Sequence, residues 1–316
     1  MSKKKFQVVV VGSCMIDFTS YCPRLPKEGE TIHGSKFTTT TGGKGANQCV
    51  AAAKLGATIA LVARVGDDVW GKHYIDNLHK VNVNTKYVEI TPGFSSGIAQ
   101  INVAESGANQ IVIIAGSNDK LSPEDVERAE DIISEADVVI SQLETPPEVA
   151  IKAMKLCKGI SILNGAPALA KYDAELLTLP SIFCVNESEA EVFAGVPVNS
   201  IDDAKKAINV LREQKGCQTV VLTMGSQGTV YSSKDTSTLI HVSSTPVKSV
   251  DSTGAGDAFI GALAYLLATK KEKLTFHECV EAANYIAADT VTRPGTQSSF
   301  SGPEILEEYY KTKEFE

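Results

Sequence analysis

Short β-branched runs alternate along this chain with stretches in which apolar residues recur every three or four positions. Residues 6–11, 58–65, 138–140, 160–163, 182–185 and 220–222 are mostly apolar on successive positions, which predicts strands buried on both faces. Helical periodicity covers 46–55, closed by Gly56, and continues at 69–79, 122–133, 147–157 and 201–214. Strand–helix alternation with unbroken apolar strands predicts an α/β fold: three layers, a mostly parallel central sheet and helices on both faces. Two segments break the rhythm. Residues 31–37 are strand-like, and 98–103 and 110–114 flank Glu105-Ser106-Gly107-Ala108, a hairpin turn signal. They are read together as a small β lid over roughly 28–40 and 95–115, on a single domain spanning 1–316. An edge extension of the main sheet is the alternative.

Composition narrows the class. Of 316 residues 43% are hydrophobic and 22% charged, so a large core forms and disorder is excluded. Against 30 Lys and Arg stand 38 Asp and Glu, a net charge of -8, which argues against a nucleic-acid or membrane-surface partner. After Lys3-Lys4-Lys5 the apolar run stops at Gly12-Ser13, too short for a secretory signal, and residues 258–268 are too few to span a membrane. The seven cysteines are odd in number and contain no C-x-x-C pair. They read as free thiols in a reducing compartment, the cytoplasm with the nucleus left open.

Two glycine-rich turns carry the chemistry. Thr41-Gly42-Gly43-Lys44-Gly45-Ala46-Asn47 joins a strand to a helix, where backbone can approach a ligand and helix N–H groups point outward. It matches neither the P-loop nor the dinucleotide pattern. Asp251-Ser252-Thr253-Gly254-Ala255-Gly256-Asp257 leads into an uncharged helix over 258–269, apolar on every side and therefore buried. Asp257 then sits at the core's edge, either as a helix cap or as a group with work to do. Small residues at a helix N-terminus beside a carboxylate suit phosphoryl transfer, which needs positioning and charge stabilisation.

These residues resemble the ribokinase-like, or pfkB-type, carbohydrate kinases. The resemblance rests on the 42–47 turn, on Gly56 and Gly66 at the family's spacing, and on 251–257. It extends through Gly12-Ser13 to Asp17, Leu143-Glu144 and 291–297, and covers essentially the whole chain. It implies a homodimer clasped through the lids and ATP-dependent phosphorylation of D-ribose at O5. Asp257 would be the general base, and Gly254, Ala255 and Gly256 would donate amides to the moving phosphoryl group. The sugar would lie against Met15, Ile16, Asp17, Gly43, Lys44, Gly45, Ala46, Asn47, Glu144 and Asp257, with Lys44 also facing the phosphate.

The resemblance further implies that Asn186 and Glu189, the N-x-x-E motif, help place Mg2+ and the phosphates. Their spacing equally fits a helix N-cap. ATP would run along Thr223, Met224, Gly225, Ser226, Gln227 and Gly228, reaching Gly256 and Asp257, with Asn284 near the base. An activating K+ would sit among Asp251, Thr253, Thr290, Arg293, Gly295 and Ser299. One departure bears on substrate. Met15 stands where many relatives have an Asn that would contact the sugar 2-hydroxyl, and a thioether cannot replace an amide's hydrogen bonds. That raises 2-deoxyribose as an alternative substrate, unless Met15 is core filler. A non-catalytic sugar or nucleotide sensor is the rival of another class, and an intact Asp257 with three small residues before it speaks against that.

Overall fold

The apolar runs become the strands of one large sheet. The computed structural model describes residues 5–234, 236 and 238–313; Lys3 and Lys4 lie outside the described residues. The strands are β1 (Val8–Val11), β2 (Met15–Cys22), β3 (Lys36–Gly42), β4 (Ile59–Gly66), β5 (Asn84–Thr91), β6 (Gly97–Ala104), β7 (Asn109–Ile114), β8 (Val138–Ser141), β9 (Ile160–Asn164), β10 (Ile182–Asn186), β11 (Val220–Thr223), β12 (Thr229–Ser232) and β13 (Ile240–Val242). Nine of them form a sheet in the order β13-β12-β11-β10-β9-β8-β1-β4-β5. From β11 to β5 every pairing is parallel, and β12 and β13 are added antiparallel at one edge.

Strand alternation explains the layers. Val8 and Val10 pack under the Lys44–Lys54, Ala255–Thr269 and Phe276–Thr290 helices, whereas Val9 and Val11 face Pro123–Arg128 and Pro147–Leu156. All four valines are fully buried, each contributing roughly 1.5–3 kcal/mol of burial. A strand so covered has no polar face, which is why its sequence does not alternate.

The remaining strands form a separate sheet in the order β3-β2-β6-β7. The β6–β7 hairpin falls where the turn signal put it. The rest of the lid differs from the expectation over 28–40. Residues 28–35 carry no strand, β3 starts only at Lys36, and the central strand is β2, between β3 and β6. β2 escaped sequence reading because Met-Ile-Asp-Phe-Thr-Ser-Tyr-Cys has no period of two. Ile16 enters the main core, Phe18 meets Trp70 edge-to-face at 5.1 Å, and Asp17 lies within electrostatic reach of Glu144 and Asp257. The passage from β1 to β2 is pinned by Asn118, whose Oδ1 accepts from Cys14 N and whose Nδ2 donates to Cys14 O, both at 2.8 Å.

Smaller differences are local. The helix expected over 122–133 breaks at Ala129 into Pro123–Arg128 and Glu130–Ile133. The one expected over 201–214 is α-helical to Asn209 and continues as a π-helical turn, Val210–Gln214. The edge strands β5 and β13 and the neighbouring β12 are short or half exposed and gave no apolar run. No described helix is long and apolar enough to cross a membrane. The seven cysteines are all free thiols, six of them buried.

Candidate active site

The parallel strands end on one side of the sheet, and the chemistry collects there, as open α/β sheets favour. Ser13 follows β1, Glu144 follows β8, and Asn164, Asn186 and Thr223 close β9, β10 and β11. The helix starting at Ala255 points its N-terminus into the same space. Its N-cap is Gly254 at φ 83°, a left-handed conformation that glycine adopts without strain. A cavity of about 180 Å³ is lined by Lys44, Asn164, Asn186, Glu189, Gly254, Gly256 and Asp257, among others. Beyond it, a cavity of about 530 Å³ is lined by Thr223, Gly225, Ser226, Gly228, Pro246, Val247, Ala255, Phe259 and Asn284.

Asp257 lies in the first turn of its helix and is only 8% exposed. Its Oδ2 accepts from Asn47 Nδ2 and its Oδ1 from Gln48 Nε2, both at 2.9 Å. These two bonds compensate the burial of the carboxylate. Lys44 is the cation of the site. Burial opposes its charge, but Asp257, Glu144 and Glu189 around it outweigh that and hold its pKa above the ordinary lysine value. Asp17, on the central strand of the small sheet, is pushed up to about 7 by burial, then by Glu144 and Asp257.

The glycine turn behaves differently from the expectation. Its helix N–H groups do not point outward to a ligand. Lys44 N donates to Glu144 Oε2 at 2.8 Å, Gly45 N to Ser13 Oγ at 3.2 Å and Ala46 N to Ser13 O at 2.9 Å. Ser13 Oγ in turn donates to Glu144 Oε2 at 2.6 Å. A buried helix end must satisfy its orphan donors, and Ser13 with Glu144 does so here. Glu144 therefore clamps the turn.

Several expected contacts are redirected. Ile16 and Ala46 have side chains in the main core and Met224 in the β9–β11 core, leaving only their backbones for a ligand. Gln227 is exposed and lines neither cavity, its carbonyl being taken by His241. Asn284 lines the larger cavity, but its Oδ1 accepts from Thr229 Oγ1 and its Nδ2 donates to Val242 O, so its amide serves the fold. Ala255 N–H donates to Ser252 O at 3.2 Å; of the three small residues Gly254 lines the smaller cavity, Ala255 the larger and Gly256 both. Asn47 has its carbonyl on Gln297 Nε2 at 3.0 Å. Gly43, as N-cap of the Lys44–Lys54 helix, sits beside Met15.

Asn186 and Glu189 satisfy both readings of their motif. They form a capping box, with Glu189 Oε2 accepting from Asn186 N and Asn186 Oδ1 from Glu189 N, each at 2.9 Å, and both still line the smaller cavity. Burial pushes the Glu189 carboxyl up, against the pull of the Asn186 N–H and Lys44. Around 251–299, Asp251 accepts from Thr253 N and Gly295 N, both at 2.9 Å, which joins two loops beside the Gly254 cap. Burial works against that carboxylate, but the two N–H groups hold its pKa below the ordinary value. The Ser299 carbonyl accepts from Arg293 Nε at 3.2 Å and Nη2 at 2.7 Å. Thr290 Oγ1 is turned back onto Ile286 O. Among the described residues no group of three His, Cys, Asp or Glu gathers as a metal site.

Sequence reasoning did not single out Ser13's bond to Glu144, or Gln48, Gln142 and Gln297. A signal existed for Gln48: it lies in a helix stretch buried continuously from Gly45 to Ala52, where a polar side chain requires a partner.

A carboxylate-lined pocket, a helix N-terminus with a lysine opposite, and a longer, more apolar cavity beyond have the layout of a small-molecule kinase on an α/β sheet. The chain belongs to the pfkB family of carbohydrate kinases, whose model matches residues 5–302. It is 47% identical to a ribokinase of Mus musculus over 296 residues, covering 93% of this chain and 91% of that protein. A deoxyribokinase of Salmonella typhi is 38% identical over 310 residues, 97% of this chain and 99% of its own. The structure of Arabidopsis thaliana ribokinase complexed with ribose and ATP superposes with a TM-score of 0.86 at 30% identity, covering 96% and 98% of the two chains.

Proposed function

We propose that this carbohydrate kinase transfers the γ-phosphoryl group of ATP to O5 of D-ribose, giving ribose 5-phosphate. The observation that carries the reading is the meeting of Asp257, Lys44 and the Gly254–Gly256 helix start in one cavity, between carboxylates on one side and the longer cavity on the other. Asp17, Glu144 and Asp257 accept hydrogen bonds from sugar hydroxyls, the chemistry by which a polar site rejects analogues that lack them. Asp257 takes the O5 proton as the bond to phosphorus forms. An aspartate is a weak base at neutral pH, so the proton moves late. The amides of Gly254 and Gly256 and the Lys44 ammonium then supply most of the rate gain by stabilising the phosphoryl oxygens. The adenosine part occupies the cavity lined by Pro246, Val247, Phe259 and Asn284.

Asn186 and Glu189 offer an amide and a carboxylate oxygen that are already engaged with each other, which fits a Mg2+ retained through its water shell. When bound, Mg2+ neutralises phosphate charge. For K+, Asp251, Thr253, Thr290, Arg293, Gly295 and Ser299 supply hard oxygen donors, of which the Asp251 carboxylate and the Thr290 and Ser299 carbonyls already accept hydrogen bonds. We further read residues 1–316 as one cytoplasmic folding unit that dimerises through the small sheet. Ile111, Val112, Ile113 and Ile114 on the edge strand β7 are each at least half exposed, on both faces. Such an edge calls for a partner strand.

A second reading, 2-deoxyribose as substrate, is favoured by Met15. It is 4% exposed, its Sδ lies 3.5 Å from Asn118 Nδ2, and Asn118 is itself engaged with the backbone of Cys14 and Ala115. Neither side chain offers the 2-hydroxyl a full set of bonds. A coupled ATP-turnover assay over ribose, 2-deoxyribose, fructose and adenosine, in K+ and in Na+, tests these readings together. Ribose with the highest kcat/KM and faster turnover in K+ is expected. A preference for 2-deoxyribose selects the second reading, no pentose turnover removes both, and equal rates in the two salts remove the cation site.

A further inference from the structure

The carboxylate of Asp257 is held from outside its own helix. Gln48, fully buried in the Lys44–Lys54 helix, donates Nε2 to Asp257 Oδ1 at 2.9 Å and lies 3.1 Å from Asn164 Oδ1. Its Oε1 accepts from Gln142 Nε2 at 2.7 Å. An ionised carboxylate only accepts, so Gln48 must present its NH2 group, and its carbonyl must then face Gln142, which presents its own NH2 group in turn. The direction of both amides thus follows from the acceptors that meet the Gln48 NH2 group, Asp257 Oδ1 and Asn164 Oδ1. The arrangement leaves Gln142 Oε1 buried without a hydrogen-bond partner, a cost that packing alone would not require. Close helix contact makes the reach feasible. A Cβ at Gly261, one turn beyond Asp257, would lie 2.6 Å from Ala51 Cβ and 2.7 Å from Gln48 O.

We propose that Gln48 is a positioning residue for the phosphoryl transfer, fixing the Asp257 carboxylate toward the acceptor hydroxyl, and that Gln142 fixes Gln48. This rests on Asp257 being the base. The site that the resemblance outlined, by contrast, contains neither glutamine.

The test is steady-state kinetics on the full chain with its best pentose substrate. Gln48→Met keeps length and volume but removes the donor. Its kcat is expected to fall about 10-fold to 10²-fold, as for a misplaced catalytic group. The sugar KM and the ATP Kd stay within about twofold, a split that loss of fold would not give. Gln142→Met leaves the Gln48–Asp257 bond in place and lowers kcat by a smaller factor, about two- to fivefold. In an Asp257→Asn background both losses disappear. Parent-like kcat in Gln48→Met, or the same fold loss in both backgrounds, overturns the proposal. Should Gln48→Met fail to fold, Gln142→Met carries the same test, and its loss must vanish in Asp257→Asn. Near-normal turnover of Asp257→Asn alone overturns the assignment of the base, a separate failure.

Discussion

The two sides of the site are built on unlike foundations. On the large sheet, Asp257, Asn47 and Gln48 in two packed helices and Glu144 after the fully buried β8 are each locked by named hydrogen bonds. On the small sheet, Asp17 and Met15 ride a strand whose sheet ends in an edge, β7, with every residue exposed. The proposed base and phosphoryl-binding amides thus sit against the main core. The proposed sugar contacts Asp17 and Met15 sit on a sheet with an uncovered edge. On this reading the chemistry and the recognition of the substrate rest on separate parts of the fold, and substitutions should separate them.

The largest effect is expected on the rigid side. Asp257→Asn keeps the size of the side chain but removes the proposed base and sets an NH2 group against the donor of Asn47 or Gln48, so turnover should fall by at least about 10² while ATP binding survives. Turnover and nucleotide affinity measured on the same preparation check this, and a variant that loses both equally would place Asp257 in the architecture instead. Next comes the exposed edge. Ile111→Lys with Ile113→Lys places two charges on one face of β7 and should convert a dimer to a monomer in sedimentation while leaving the Tm of the large sheet near that of the parent. An unchanged mass would mean the small sheet pairs with nothing through this strand.

The smallest effect concerns Asp17, which joins the two regions. Its pKa, pushed up to about 7, lies above that of an unfolded aspartate near 3.9. A group raised on folding contributes stability that is fully present below its unfolded pKa and is lost as pH rises through the folded value. Asp17→Asn removes that loss, so its Tm advantage over the parent should be larger at pH 8 than at pH 5, by about 2 °C or more. Sugar affinity should fall in the same variant. Equal Tm differences at both pH values would mean that the carboxylate ionises without resistance and that the small sheet places it in water.

Legibility in the sequence followed the same divide. Strands β1, β4, β8, β9, β10 and β11 were readable to within two residues, because burial on both faces leaves an unbroken apolar run. β2 was not, since one residue enters the core, the next lies within electrostatic reach of two carboxylates and the next meets an aromatic ring. Asp257 and Lys44 stood out as charges beside glycines. Gln48 and Gln142 did not, because a neutral amide in a helix or loop looks like any surface residue until its partners are known. The helix N–H groups of the glycine turn looked available for a ligand, and only the fold brings Ser13 and Glu144 across to occupy them.

The seam between the two sheets carries one more consequence. Trp70 is the only tryptophan in the chain and meets Phe18 of β2 edge-to-face, with Phe37 of β3 stacked behind at 6.0 Å. Any displacement of the small sheet alters the surroundings of this indole. The chain therefore has an intrinsic fluorophore at this seam, whose emission is sensitive without a label to any change in the packing of β2 against the Val69–Lys80 helix.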